Sequence, residues 1–136
     1  INENEEIINS NDFIGKKLIV FFYPRANTPG CTAEACNLSE NYQKLSDLGY
    51  QIIGVSCDKP NSQKNFSTKF GFQYPLLADV DQKVVKLFGV WGTKKMYGRE
   101  YEGIYRMTFI FDSDGILERV IDKVNTKDHT NQILNG

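Results

Sequence analysis

The residues best suited to chemistry lie in one stretch: Pro24-Arg25-Ala26-Asn27-Thr28-Pro29-Gly30-Cys31-Thr32-Ala33-Glu34-Ala35-Cys36. It holds two of the chain's three cysteines, the third being Cys57. Thr28 followed by Pro29 is a helix-start pair. A hydroxyl residue suits the N-cap, and proline suits the first helical position, where its missing N–H has no bond to lose. A helix beginning there puts Cys31 in its first turn, among unpartnered backbone N–H groups at the positive end of the dipole. Both favour a thiolate, the form of cysteine that attacks electrophiles. The sole histidine, His129, is far along the chain and reads as an exposed end-of-chain residue. Activation of Cys31 therefore falls to backbone dipoles and a cation.

The same helix separates the two cysteines. At about 100° per residue, Cys31 shares a face with Ala35, Leu38, Tyr42 and Leu45, whereas Cys36 shares one with Glu40, Gln43, Lys44 and Asp47. Cys31 is thus expected toward the core and Cys36 toward solvent. Five positions along a helix put the Cα atoms roughly 8–9 Å apart and about 140° around the axis. A disulfide needs them within about 7 Å. If the pair bonds, the first turns must unwind.

The elements that position this stretch follow from pattern. Leu18 to Tyr23 is a continuous β-branched and aromatic run stopped by Pro24, which predicts a strand buried on both faces. A loop over 25–30 leads to a helix over 29–48, ended by Gly49. Further strands are predicted over 51–56, 74–78, 107–111 and 116–124, the last two joined by the turn Asp112-Ser113-Asp114-Gly115. Helices are predicted over 61–70, 81–88 and 126–134. Residues 89–105 read as a long loop, with Trp91, Lys94, Lys95 and Arg99 on a solvated surface, and 1–15 as polar and irregular. Strands alternating with helices, then a hairpin and a helix, predict an α/β fold: a thioredoxin-like mixed sheet flanked by helices. In such sheets chemistry gathers at the carboxyl ends of strands, where the loop after the first strand lies.

Bulk properties narrow the function. A chain of 136 residues suits one domain, taken as 1–136. A net charge of −1 gives no broad surface for nucleic acid or anionic membrane. No apolar run reaches transmembrane length. Three cysteines without a C-x-x-C pair argue against a disulfide scaffold and against a metal site, and point to a reducing compartment, taken as the cytoplasm. The first residue is Ile1 rather than Met, so a truncated N-terminal segment is expected.

Pro24-x-x-x-Thr28-x-x-Cys31 resembles the active-site motif of peroxiredoxins, and Thr28-Pro-Gly-Cys31-Thr-x-Glu34-Ala-Cys36 resembles their Q branch, also called bacterioferritin comigratory protein. Gly103-Ile-Tyr-Arg106-Met-Thr-Phe-Ile-Phe-Asp112 is similar to the strand carrying that family's active-site arginine. The likeness runs from about Lys16 to Leu134, in the expected order. It implies a thioredoxin-like fold and a thiol-dependent hydroperoxide reductase. In that reading Cys31 becomes a sulfenic acid, Cys36 resolves it as an intramolecular disulfide, and thioredoxin or glutaredoxin restores both thiols. Thr28 and Arg106 bond the thiolate and the peroxide oxygens, and Pro24 shields the pocket. No metal, haem or flavin is implied, and an intramolecular resolving cysteine makes a monomer the default. The family's usual N-terminal strand segment is cut short. The Gly-Gly loop of peroxide-sensitive members is missing, implying moderate resistance to overoxidation.

Simpler readings stand beside these. Thr28 is explained by capping alone, Pro24 by stopping a strand, Arg106 as a surface residue, and Glu34 as a first-turn acid favoured by the dipole. Cys57 ends a strand and reads as a small buried hydrophobe, or else as an alternative resolving thiol. Two other functions compete. A protein thiol–disulfide oxidoreductase would favour C-x-x-C, which closes with little movement. A chaperone or redox-sensing partner would keep its activity without Cys31.

Overall fold

The computed structural model describes residues 15–26, 28–96, 99–124 and 126–135. Residues 1–14, expected to be irregular, lie outside these. Among the described residues, seven strands and five helices follow in order: β1 Lys17–Phe22, α1 Pro29–Glu40, α2 Tyr42–Asp47, β2 Tyr50–Ser56, α3 Pro60–Phe70, β3 Leu76–Ala78, α4 Lys83–Leu87, β4 Trp91–Met96, β5 Arg99–Ile104, β6 Met107–Phe111, β7 Leu117–Ile121 and α5 His129–Asn135.

The main sheet has the order β3-β2-β1-β6-β7. Strands β1, β2 and β3 pair in parallel, while β6 and β7 run antiparallel, so the sheet is mixed, as the alternation of elements predicts. Central β1 is buried on both faces because its residues alternate between two cores. Ile19, Phe21 and Tyr23 pack against Cys31, Ala35, Leu38, Leu45, Phe66 and Ile133, from α1, α2, α3 and α5. Val20 and Phe22 pack on the other face with Val85 of α4, and with Val90, Ile104 and Phe109. Fully burying one such side chain contributes about 1.5–3 kcal/mol, so β1 anchors both layers. Among the described residues no helix is long and apolar enough to cross a membrane.

The structure departs from the sequence reading in three places. The helix expected over 29–48 breaks at Asn41, whose side chain turns back to the Asn37 carbonyl at 2.8 Å. Asparagine offers the backbone this local alternative to a helix. The apolar face nonetheless continues across the break, with Leu45 buried. Residues 89–105 contain a hairpin, not a loop: β4 and β5 pair from Trp91↔Ile104 to Met96↔Arg99. Trp91 packs on the second core, and Lys94 is half-buried with Nζ donating to the Ile104 carbonyl at 2.8 Å, so neither belongs to a solvated surface. The side chains of Lys95 and Arg99 lie outside the described part. Finally, His129 is buried at the start of α5, not exposed.

Candidate active site

The parallel strands end at the edge where α1 begins. Thr28 is the N-cap, with extended backbone (φ −90°, ψ 156°), and its carbonyl accepts Thr32 N–H at 2.8 Å. Its side chain makes no cap. The hydroxyl donates instead to the Arg25 carbonyl at 2.9 Å and closes the loop between β1 and α1. Pro24, half-buried, follows Tyr23 directly into this loop. The loop is also held from the neighbouring βα connection: Asp58 Oδ2 accepts both Ala26 N–H and Ser56 Oγ–H at 2.7 Å. Gln63 extends the network, donating to Ser56 Oγ at 2.9 Å and accepting the Tyr23 hydroxyl.

Cys31 is 1% exposed, on the inner face of α1 as its spacing predicts. Arg106, between β5 and β6, reaches over the first turn of α1. Its Nη2 lies 3.3 Å from Cys31 Sγ, and its Nη1 lies 2.9 Å from Glu34 Oε1. Gly30 makes room for it: a Cβ there would sit 3.2 Å from Arg106 Nη2. Burial works against the guanidinium charge, but the Cys31 and Glu34 charges beside it prevail and hold its pKa above the usual value. Lys94 brings a second cation to this edge, its pKa lowered by burial and by Arg106, with Cys31 opposing. The arrangement suits a nucleophilic sulfur whose negative charge, and that of an attacked oxygen, meets fixed cations and helix N–H groups.

Cys36 sits on the same helix but away from Arg106, half-buried, and its thiol pKa is raised by burial and by Glu40. Cys31 and Cys36 are both free thiols on an intact α1. Cys57 is pushed up to about 11 by burial and then by Asp79 and Asp58, with Lys86 opposing.

Two residues of the site escaped the sequence reading. Glu34 is 0% exposed, so it is no ordinary surface acid of a first turn. His129, also 0% exposed, places Nε2 at 3.5 Å from Glu34 Oε2. The helical spacing held a clue for the first. Glu34 is three residues after Cys31 and so shares its inward face. For His129, the seven residues of α5 hold only two apolar side chains, the adjacent Ile133 and Leu134, too few to reveal which side is buried.

Comparison with known proteins bears on what this thiol does. The AhpC/TSA family model matches residues 2–120. The chain is 41% identical over 134 residues to peroxiredoxin Bcp of Escherichia coli K12, covering 98% of this chain and 86% of that one. It is 38% identical over 132 residues to peroxiredoxin Bcp of Bacillus subtilis, covering 97% and 84%. Among solved structures, the bacterioferritin comigratory protein of Xanthomonas campestris, studied for alkyl peroxide reduction, superposes with a TM-score of 0.91 at 32% identity, covering 98% and 85%. A cysteine-to-serine variant of Xylella fastidiosa peroxiredoxin Q gives 0.91 at 29%, covering 97% and 82%. Matches of this extent in both sequence and fold make the chain a member of the AhpC/TSA family and, within it, a peroxiredoxin of the Bcp or Q kind, a thiol peroxidase.

Proposed function

We propose that the enzyme reduces hydrogen peroxide and organic hydroperoxides to water or alcohols, with Cys31 as the attacking sulfur. The observation that carries this is the 3.3 Å approach of Arg106 Nη2 to a buried Sγ in the first turn of a helix. The Cys31 thiolate attacks the terminal peroxide oxygen and the O–O bond breaks. Sulfur becomes a sulfenic acid, and the departing alkoxide or hydroxide takes a proton from solvent. Arg106 steadies the negative charge passing from sulfur to the leaving oxygen. The Thr28 hydroxyl, already donating to the Arg25 carbonyl, retains lone pairs for a peroxide O–H. Pro24 screens the loop side of the pocket.

Cys36 then displaces water from the sulfenic acid to give a Cys31–Cys36 disulfide. An intact α1 keeps these residues apart by the helical rise, so the first turns of α1 unwind for this step. A dithiol reductant of the thioredoxin or glutaredoxin kind reduces the disulfide. The cycle needs no second subunit, which fits a monomer, and its free thiols suit a reducing compartment such as the cytoplasm.

The test is peroxide consumption coupled to thioredoxin, thioredoxin reductase and NADPH, comparing the pre-reduced protein with Cys31→Ser. Turnover lost in the variant supports the assignment, and turnover retained there removes Cys31 from the role.

A further inference from the structure

Behind Arg106 lie two buried groups that attack on peroxide does not itself call upon. Glu34 Oε1 accepts a hydrogen bond from Arg106 Nη1 at 2.9 Å, but Glu34 Oε2 has no hydrogen-bond donor among the described residues. Facing it at 3.5 Å is His129 Nε2. The neighbours of the imidazole fix its tautomer. His129 Nδ1 is 2.9 Å from Gln132 Oε1, and Gln132 Nε2 is turned to the Lys123 carbonyl at 2.8 Å. An amide oxygen only accepts, so Nδ1 carries a hydrogen and Nε2 of the neutral ring is a lone pair. Thr108 Oγ1, at 2.7 Å from Nε2, can donate to it or accept from it, so it satisfies the ring in either state and does nothing for Glu34 Oε2. Buried Glu34 Oε2 therefore has no donor among the described residues and faces an acceptor nitrogen at 3.5 Å. One proton between Oε2 and Nε2 removes that conflict.

We infer that Glu34 and His129 hold one proton between them, and that His129 is thereby a positioning residue whose proton sets the charge against which Cys31 ionises. The inference rests on Cys31 being the reacting thiol. Charge counting gives the coupling. With the proton on the pair, Arg106 balances the Cys31 thiolate and the buried cluster is neutral. Without it, a thiolate leaves the cluster one charge negative, which a low-dielectric interior resists. A Cys31 thiol beside the unprotonated pair, and a Cys31 thiolate beside the protonated pair, thus hold the same number of protons and interconvert through solvent. One proton has two seats.

The surroundings place the shared proton on the carboxyl side. Burial raises Glu34 to about 7 against the pull of Arg106. Burial lowers His129, with Gln132 opposing and the charges of Arg106 and Arg119 assisting. The groups facing the pair are Arg106 before β6, Arg119 on β7 and Tyr74 before β3, and Cys31 on α1 is linked to it through Arg106. Arg119 is held on the carbonyls of Gln132 and Ile133 at 2.6 and 2.9 Å. Tyr74, bonded to the Ala35 carbonyl at 2.7 Å, is pushed well up by burial and stays uncharged, and Arg119 carries the same charge in both states, so the difference between them lies with Arg106, Cys31 and the shared proton.

His129 is the only histidine of the chain, so its ring nitrogens give a single, assignable set of signals. The experiment follows these signals in reduced, ¹⁵N-histidine-labelled protein from mildly acid to mildly alkaline pH, in wild type and in Cys31→Ser. Nδ1 is expected to remain protonated throughout while Nε2 reports loss of the shared proton. Removing the thiolate lowers the pair's affinity for that proton, on the order of tenfold, so the transition in Cys31→Ser moves about one pH unit lower. Superimposable transitions in the two proteins overturn the inference. A second arm measures the pH dependence of the first oxidation of Cys31 by rapid mixing, in wild type and His129→Gln. In the variant Glu34 keeps its ionisation but loses the ring that shares its proton and gains an amide that can donate to Oε2, so that limb of the profile is expected to move to lower pH, whereas an unchanged profile contradicts the inference. If His129→Gln does not fold, the Cys31→Ser comparison still decides. Absence of peroxide reduction by the wild type sinks the proposed function but leaves the ring titration readable, so the two failures are distinct.

Discussion

Two cysteines of this fold occupy sister positions and differ in almost everything that governs reactivity. Cys31 follows β1 and Cys57 follows β2, parallel neighbours in the sheet, and each precedes or enters a helix begun by an X–Pro pair, Thr28-Pro29 and Lys59-Pro60. The shared βα geometry offers both thiols the same sheet edge. What separates them is charge and placement, Cys31 lying two residues after its proline and Cys57 three before its own. Cys31 falls inside the first turn of α1 beneath the Arg106 guanidinium, 3.3 Å away. Cys57 stops short of α3 and faces Asp79 and Asp58, which add to burial in pushing its thiol up to about 11. The scaffold supplies an address, and the neighbouring charges decide whether a thiol there reacts.

The sharpest way to break this comparison is to remove each thiol in turn. Cys31→Ser is expected to abolish peroxide turnover and Cys57→Ser to leave it within about twofold of wild type, as initial rates of peroxide loss will show; the reverse pattern would interchange the two roles. Next comes Arg106→Ala. Removing one preorganised donor from charge developing on oxygen typically costs about 10²–10³ in rate. The second-order rate of Cys31 oxidation, measured under single-turnover conditions, is expected to fall by that order.

A milder change brings Cys57 toward Cys31. Asp79→Asn keeps an acceptor for Val85 N–H, which Asp79 Oδ2 now holds at 2.9 Å, while removing a negative charge from the Cys57 surroundings. Alkylation of Cys57 at mildly alkaline pH is expected to quicken by up to about tenfold, since a unit of pKa is a tenfold change in thiolate. The smallest effect concerns the carboxylate that shares Arg106. Folding raises Glu34 from 4.5 to about 7, chiefly by burial. The folded state therefore keeps a proton that the unfolded chain has released. The stability this adds is complete below 4.5 and is lost as pH rises through about 7. The slope in that window is at most about 1.4 kcal/mol per pH unit. Denaturant melts across the window should show a falling stability in wild type and a flatter course in Glu34→Gln.

Much of this contrast was legible in the chain, and the reason is local. Thr28-Pro29 announces a helix start, the run from Leu18 to Tyr23 announces a doubly buried strand, and the spacing of Ala35, Leu38 and Leu45 turns Cys31 inward. Each signal needs only neighbours in sequence. The motif around Arg106 was recognisable, but its reach over Gly30 depends on how the β5–β6 connection returns across the sheet. The hairpin β4–β5 was missed because Lys94, Lys95, Arg99 and Glu100 interrupt any alternation of apolar residues. Glu34 reads as a first-turn acid favoured by the dipole and His129 as an exposed end-of-chain residue, because nothing near them in sequence signals burial. Their burial follows from packing α5 on α1, where Asn37 Oδ1 receives Thr130 N–H at 2.7 Å. That contact joins residues distant in sequence and has no local signature.

The central claim is that position and charge single out Cys31, and it is tested most directly by intact-protein mass after one equivalent of hydrogen peroxide, in Cys36→Ser and in wild type. Cys36→Ser should gain one oxygen atom, mapped to Cys31 by a sulfenic-acid reagent, and wild type should instead lose two hydrogens, mapped to a Cys31–Cys36 disulfide. Oxygen mapped to Cys57, or a wild-type disulfide that includes Cys57 in place of Cys36, would contradict the account.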